Sequence, residues 1–289
     1  MTDIVSPIEH ISDTALWVAY FRAIESERRD ALFHDPYARI LAGERGEMIA
    51  HNMRNGMAGA WAMIARTKSF DELILQTIRN QHCDAVLNLA AGLDSRPYRL
   101  ELPASLRWIE VDLPDILDYK AEKLAGEHPA CLLESVGLDL KDRDARNAFF
   151  NEVNGQAKNV LVVTEGLTLY LTAEQVASLA DDLHAQSGFR WWLTEFISPQ
   201  LLEYLQSSWN DQLSAGGASA QFSVEDNEGF YRQHGWNLAE YRSAMEESHR
   251  LKREMPLAWL WRFLGRFMPK ERMQSYRMMS GYALLAKDN

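Results

Sequence analysis

Between about Ser12 and Gln81, apolar residues recur every three or four positions, and Asp35-Pro36 interrupts the rhythm. That spacing lines one side of a helix, so the segment reads as helices with a break at the proline. Past Gln81 the pattern changes to short continuous apolar runs separated by amphipathic stretches. The runs Ala85 to Leu89, Arg107 to Val111, Cys131 to Leu138, Val160 to Thr164 and Arg190 to Phe196 predict strands. Asp115 to Gly126, Asp142 to Val153, Ala173 to Gln186 and Pro199 to Leu213 predict helices. Apolar strands alternating with helices imply an α/β fold whose sheet is doubly wound and mainly parallel, with right-handed crossovers. Ser214 to Ser219, small and glycine-containing, predicts a loop, and Ser275 to Leu285 a last strand. The organisation expected is a helical cap over residues 1–82 and an α/β core over 83–289, with an aromatic-rich insertion near 199–270.

Open parallel sheets bind ligands beyond the carboxyl ends of their strands, so the residues that follow each run are where chemistry is expected. After the first run come Ala90, Ala91 and Gly92, a turn with almost no side chain, against whose backbone a ligand can lie. Asp112 closes the second run, twenty residues after Gly92, where a carboxylate accepts hydrogen bonds from ribose hydroxyls. Strand, small turn and acid together describe a nucleotide-binding unit. The full G-x-G-x-x-G set of dinucleotide sites is missing, which disfavours a nicotinamide-dependent oxidoreductase.

Three further positions leave two readings each. Asp139 beside Leu140, after the third run, suits an adenine amino group with the leucine packed on the ring, or Asp139 caps the helix near Asp142. Glu165, before Gly166 at the end of the fourth run, suits a cationic ligand group, or is a solvated loop acid. Arg66 in the helical segment can hold a carboxylate through two parallel hydrogen bonds, or lies on the surface. Asp94 sits where a cap for the following turn is wanted.

Composition narrows the partners. A net charge of -11 argues against nucleic acid, whose binding relies on clustered lysine and arginine. Two cysteines, Cys83 and Cys131, in or beside strands fit a reduced cytoplasmic setting, and eight scattered histidines offer no paired metal-ligand spacing. No apolar run approaches the roughly 20 residues that span a bilayer, and no N-terminal signal segment is read.

Arg66-Thr67, Asn88 to Arg96, Tyr98-Arg99-Leu100, Glu110 to Pro114, Lys120, Asp139-Leu140, Glu165-Gly166 and Tyr170-Leu171 together resemble the leucine carboxyl methyltransferase family. The bacterial branch, similar to tetracenomycin-type polyketide O-methyltransferases, is nearest, and Thr14-Ala15 with Asp35 to Ala38 resemble it too. The resemblance implies a seven-stranded class I methyltransferase fold that uses S-adenosyl-L-methionine. By position it implies that Arg66 binds the methionine carboxylate, Ala90 and Gly92 form the turn against the methionine part, Asp112 holds the ribose, Asp139 and Leu140 the adenine, and Glu165 the ammonium side. One departure stands out: Ala90-Ala91-Gly92 replaces the family's common Gly-Ala-Gly.

The resemblance weakens beyond Leu171, on the acceptor side. Trp191, Trp192, Tyr204, Trp209, Trp236, Trp259, Trp261, Phe263 and Phe267 either line an apolar pocket or belong to the core. Leu257 to Met268, flanked or crossed by Lys252, Arg253, Arg262, Arg266 and Lys270, reads as a lid over an acidic apolar acceptor or as an amphipathic surface helix. The function expected is O-methylation of a small apolar carboxylic acid or polyketide hydroxyl in secondary metabolism. The alternative is a non-catalytic S-adenosyl-L-methionine-binding protein. No catalytic side chain and no metal ligand are assigned.

Overall fold

The computed structural model describes residues 8–53, 56–265 and 268–287. Seven strands, β1 (Ala85–Leu89), β2 (Arg107–Asp112), β3 (Leu132–Gly137), β4 (Val160–Val163), β5 (Phe189–Ile197), β6 (Trp236–Ser243) and β7 (Ser280–Lys287), form one sheet in the order β3-β2-β1-β4-β5-β7-β6. The first five run parallel, and β7 pairs antiparallel with both β5 and β6. β1 and β4 are buried at every position, as strands covered on both faces must be. The chain moves outward from β1 to β3, then returns to place β4 on the other side of β1. That reversal leaves a crevice at the carboxyl ends of β1 and β4.

Helices α1 (Asp13–Ser26), α2 (Ala38–Asn52) and α3 (Ala60–Gln81) precede the sheet. α1 and α2 bury Trp17, Phe21, Leu41 and Ile49 in one cluster with Leu93, Ile116, Trp209 and Leu213, so they close over the strand ends. α3 does different work. Its Phe70, Leu73, Ile74 and Ile78 pack on Val86, Trp108, Leu161 and Leu193, making it a layer on one sheet face. A short α4 (Arg96–Arg99) follows β1, and α5 (Pro114–Lys123), α6 (Arg143–Gln156) and α7 (Ala173–Ala185) are the crossovers. α7 begins with a capping box, Thr172 and Gln175 each satisfying the other's backbone N–H. α8 (Pro199–Ala215), α9 (Asn227–Gln233), α10 (Ala244–Arg250), α11 (Ala258–Gly265) and α12 (Lys270–Met278) complete the chain.

Three local readings are corrected. The last strand starts at Ser280, because Ser275 to Met278 continue α12. Ser214 and Ala215 belong to α8, whose hydrogen bonds run on to the turn at Gly216 and Gly217. β6 was absent from the sequence reading: it is an edge strand, mostly half-buried, so neither continuous apolarity nor clean alternation marks it. Arg266 and Phe267 lie outside the described residues, as do the side chains of Trp261, Arg262 and Lys270.

Among the described residues, no helix is long and apolar enough to cross a membrane.

Candidate active site

The turn after β1 is built from two left-handed residues, Ala90 with φ 54° and Gly92 with φ 51°. Its coil is pinned from the next strand end. The Gly92 N–H donates to Asp112 Oδ2 at 2.6 Å, and the Leu113 N–H donates to Oδ1 at 2.7 Å. Burial pushes the Asp112 pKa above the usual carboxylate value, and these two N–H groups counter only part of that. The turn is also packed from above: a Cβ on Gly92 would lie 3.1 Å from the Ala15 methyl of α1. The N-terminal helices are fastened here through charge. Arg22 donates to Asp35 at 2.8 Å and to the Leu93 carbonyl at 2.6 Å, while Ser95 donates to Asp35 at 2.6 Å.

Arg66 of α3 is part-buried in the wall of the same cavity. Its Nε donates to Glu165 at 3.0 Å and its Nη1 to Glu195 at 3.1 Å, leaving Nη2 unengaged by either acid. Burial alone opposes the charge on Arg66, but the two carboxylates outweigh it and raise the pKa further. Glu165 also pairs with Arg96 at 2.7 Å, and Arg96 in turn holds Asp94 and Asp71. Gly166, beside Arg66, holds φ at 71°, a left-handed backbone that favours glycine. Both surface readings therefore fail: neither Arg66 nor Glu165 is a solvated group, and each is 13–14% exposed at its side chain. The capping reading of Asp139 fails as well. Asp142 caps α6 by accepting from the Ala145 N–H at 3.1 Å, whereas Asp139 accepts from the Lys141 N–H at 2.9 Å.

A single cavity of about 1630 Å³ takes in Arg66, Ala90, Gly92, Asp112, Asp139, Leu140 and Glu165. A family model described as leucine carboxyl methyltransferase matches residues 15–184. The chain belongs to the leucine carboxyl methyltransferase family. A Frankia alni member, named as a candidate S-adenosyl-L-methionine-dependent methyltransferase, is 32% identical over 264 residues, covering 84% of this chain and 89% of its own. A similarly named Mycobacterium tuberculosis protein is 34% identical over 194 residues, 62% of this chain and 64% of its own length. Two solved structures share the fold. A DUF574-family protein from Streptomyces avermitilis superposes with TM-score 0.59 at 12% identity, covering 95% of this chain and 97% of that one. A methyltransferase candidate from Thermobifida fusca gives TM-score 0.56 at 11% identity, covering 100% and 98%. The sheet and its surrounding helices are thus those of class I methyltransferases.

Two groups that shape the site escaped sequence reading, for different reasons: the family match ends before β5, where Glu195 lies, and Arg96 acts through a partner distant in sequence. Glu195 follows Thr194 near the end of β5; besides Arg66, it accepts from the Gly166 N–H. An acid inside the apolar run Trp191 to Ile197 was the available signal. Arg96 stood inside the family motif, but its pairing with Glu165 across the crevice has no trace in spacing. The aromatics divide. Trp192 and Trp236 are core, Tyr204 and Trp209 line the cavity, and Trp259 and Phe263 are exposed on α11.

Proposed function

We propose that this protein is an S-adenosyl-L-methionine-dependent O-methyltransferase acting on a carboxylate or hydroxyl of a small apolar acceptor. The observation that carries the reading is the cavity. Its one half gathers a side-chain-poor turn, a strand-end acid and a part-buried arginine between acids, which fits a nucleoside with a zwitterionic tail. In this reading the ribose lies on Asp112, the adenine on Asp139 and Leu140, the methionine part against Ala90 and Gly92, its ammonium on Glu165, and its carboxylate on Arg66 Nη2. The other half, with Trp61, Met63, Leu205 and Trp209, is apolar and wide enough for a second molecule. In this reading α1 and α2 act as the cap that supplies Ala15 and Trp17 to the walls, α3 lends Arg66 from its layer on the sheet, and 83–289 is the cofactor-binding core, with the acceptor side built by 199–270. An aromatic or polyketide acid of secondary metabolism, met in the cytoplasm, suits such a chamber; a polyanionic nucleic acid does not.

The cofactor supplies an electrophilic methyl on a sulfonium. The chain's residues bind, align and exclude water. A carboxylate acceptor is already ionised near neutral pH, so alignment supplies most of the acceleration. A hydroxyl acceptor needs its proton taken. Calorimetry with S-adenosyl-L-methionine, its demethylated product and NAD tests the first half of the reading. Binding of the two sulfur ligands and not of NAD is expected; no binding of either sulfur ligand sinks it. Transfer of labelled methyl to carboxylic acids and phenols tests the second half, and binding without transfer leaves a non-catalytic binder instead.

A further inference from the structure

α10 packs against α3, the helix that carries Arg66, and lines the same cavity. One side of it is fixed to α3: Glu247 accepts from Ser69 at 2.9 Å, one turn along from Arg66, and Arg250 reaches Glu72 at 2.6 Å. The other side, with Met245, Ser248 and His249, lines the cavity. His249 Nδ1 stands 3.3 Å from Glu254 Oε1, and Glu254 lines the cavity too. A carboxylate on Nδ1 fixes the tautomer that leaves Nε2 as a proton acceptor. Nothing assigned above to cofactor binding uses either residue.

We propose that His249, oriented by Glu254, is the general base that takes the proton of a hydroxyl acceptor. The inference rests on the methyltransferase reading and narrows its acceptor to a phenol or enol, since a carboxylate needs no base. As the acceptor oxygen forms its bond to the methyl carbon, the carbon–sulfur bond breaks and its electron pair stays on sulfur. The hydroxyl proton passes to Nε2. The His249 side chain is 60% exposed, so the imidazolium then returns its proton to water. The charged and titratable groups on α10 and on the elements packed against it are Glu246, Glu247 and Arg250 on α10, Lys68 and Glu72 on α3, Glu240 and Arg242 on β6, Tyr276 and Arg277 on α12, and Tyr282 on β7, with Glu254 just beyond α10. Arg277 is held by Glu246 at 3.0 Å, and Arg242 and Arg250 by Glu72, which leaves Glu254 as the only carboxylate paired with the imidazole among the described residues.

The test compares 1-naphthol with 1-naphthoate, two acceptors with one apolar body, across pH. His249→Gln is expected to lower kcat/KM on 1-naphthol by about 10²–10⁴-fold at neutral pH. The loss should close as the pH rises toward the naphthol's own ionisation, and the S-adenosyl-L-methionine dissociation constant should not move. Glu254→Gln, a change at a positioning residue, should lower kcat on 1-naphthol while leaving its KM and the S-adenosyl-L-methionine dissociation constant unmoved. A change under 3-fold in His249→Gln, a loss equal at every pH, or transfer to 1-naphthoate alone overturns the assignment. Methyl transfer to neither probe by protein that binds the cofactor overturns it together with the enzyme reading, and failure to bind the cofactor overturns the reading beneath it first.

Discussion

Ala90 holds a left-handed backbone with a side chain attached, and replacing it by glycine should stabilise the protein. An L-residue in that region costs roughly 1–2 kcal/mol from contact between Cβ and the following carbonyl. Glycine removes the cost but gives the unfolded chain more freedom, worth about 0.4–1 kcal/mol in the other direction. With φ at 54° the first effect wins. Ala90→Gly is therefore expected to gain about 0.5–1 kcal/mol in urea denaturation with an unchanged m-value, or about 2 °C in Tm for a chain of this length. Gly92→Ala is the mirror experiment, and it should be the worse of the two changes. It adds the left-handed cost at φ 51° and sets a new Cβ at 3.1 Å from Ala15, so a loss of about 2 kcal/mol or more is expected. Because the Ala90 methyl lines the cavity, Ala90→Gly should also bind S-adenosyl-L-methionine at least as tightly by calorimetry. A destabilised Ala90→Gly would refute the strain argument, and weakened cofactor binding would refute the idea that the methyl crowds the turn.

Asp112→Ala should weaken cofactor affinity by about 10–100-fold, the worth of hydrogen bonds to a charged acceptor; an unchanged calorimetric constant would show that Asp112 does not hold the ribose. Arg66→Met should cost about 1–3 kcal/mol in chemical denaturation, since it leaves the part-buried Glu195 without its cation while Glu165 keeps Arg96, and no measurable loss would contradict that. Asp94 supplies a pH dependence. Burial pushes its pKa up, but Arg96 and then Lys120 outweigh that and bring it down to about 2. A depressed acid stabilises above its unfolded value near 3.9 and loses that stability as the pH falls toward 2; two units correspond to roughly 2–3 kcal/mol. Asp94→Asn should flatten the acid limb of a stability curve between pH 4 and 2, and an unchanged limb would assign it to other groups.

The central strands were legible because burial on both faces leaves a continuous apolar run, and β1, β2 and β4 fall within a residue of their predicted spans. β6, half-buried at the sheet edge, carries no such mark and was lost, and β7 was begun too early because Ser275 to Met278 continue α12. Of the site, the six residues at strand ends could be named from the topology of a parallel sheet, and they line one cavity together with Arg66 of α3. What sequence could not supply was partnership across the fold. Arg66 and Glu195 are 129 residues apart, and only the folded chain makes them neighbours.

The sheet's last two strands have a consequence for how such a protein changes over time. β6 and β7 are consecutive, adjacent and antiparallel, yet α10, α11 and α12 are all inserted between them. Both ends of that excursion are anchored in one hairpin, so it can be lengthened, shortened or exchanged while the sheet register is kept. The family match, residues 15–184, encloses every residue proposed to hold the cofactor, and the excursion lies wholly outside it. A change confined to the excursion would therefore alter one wall of the cavity while leaving in place every residue proposed to hold the cofactor.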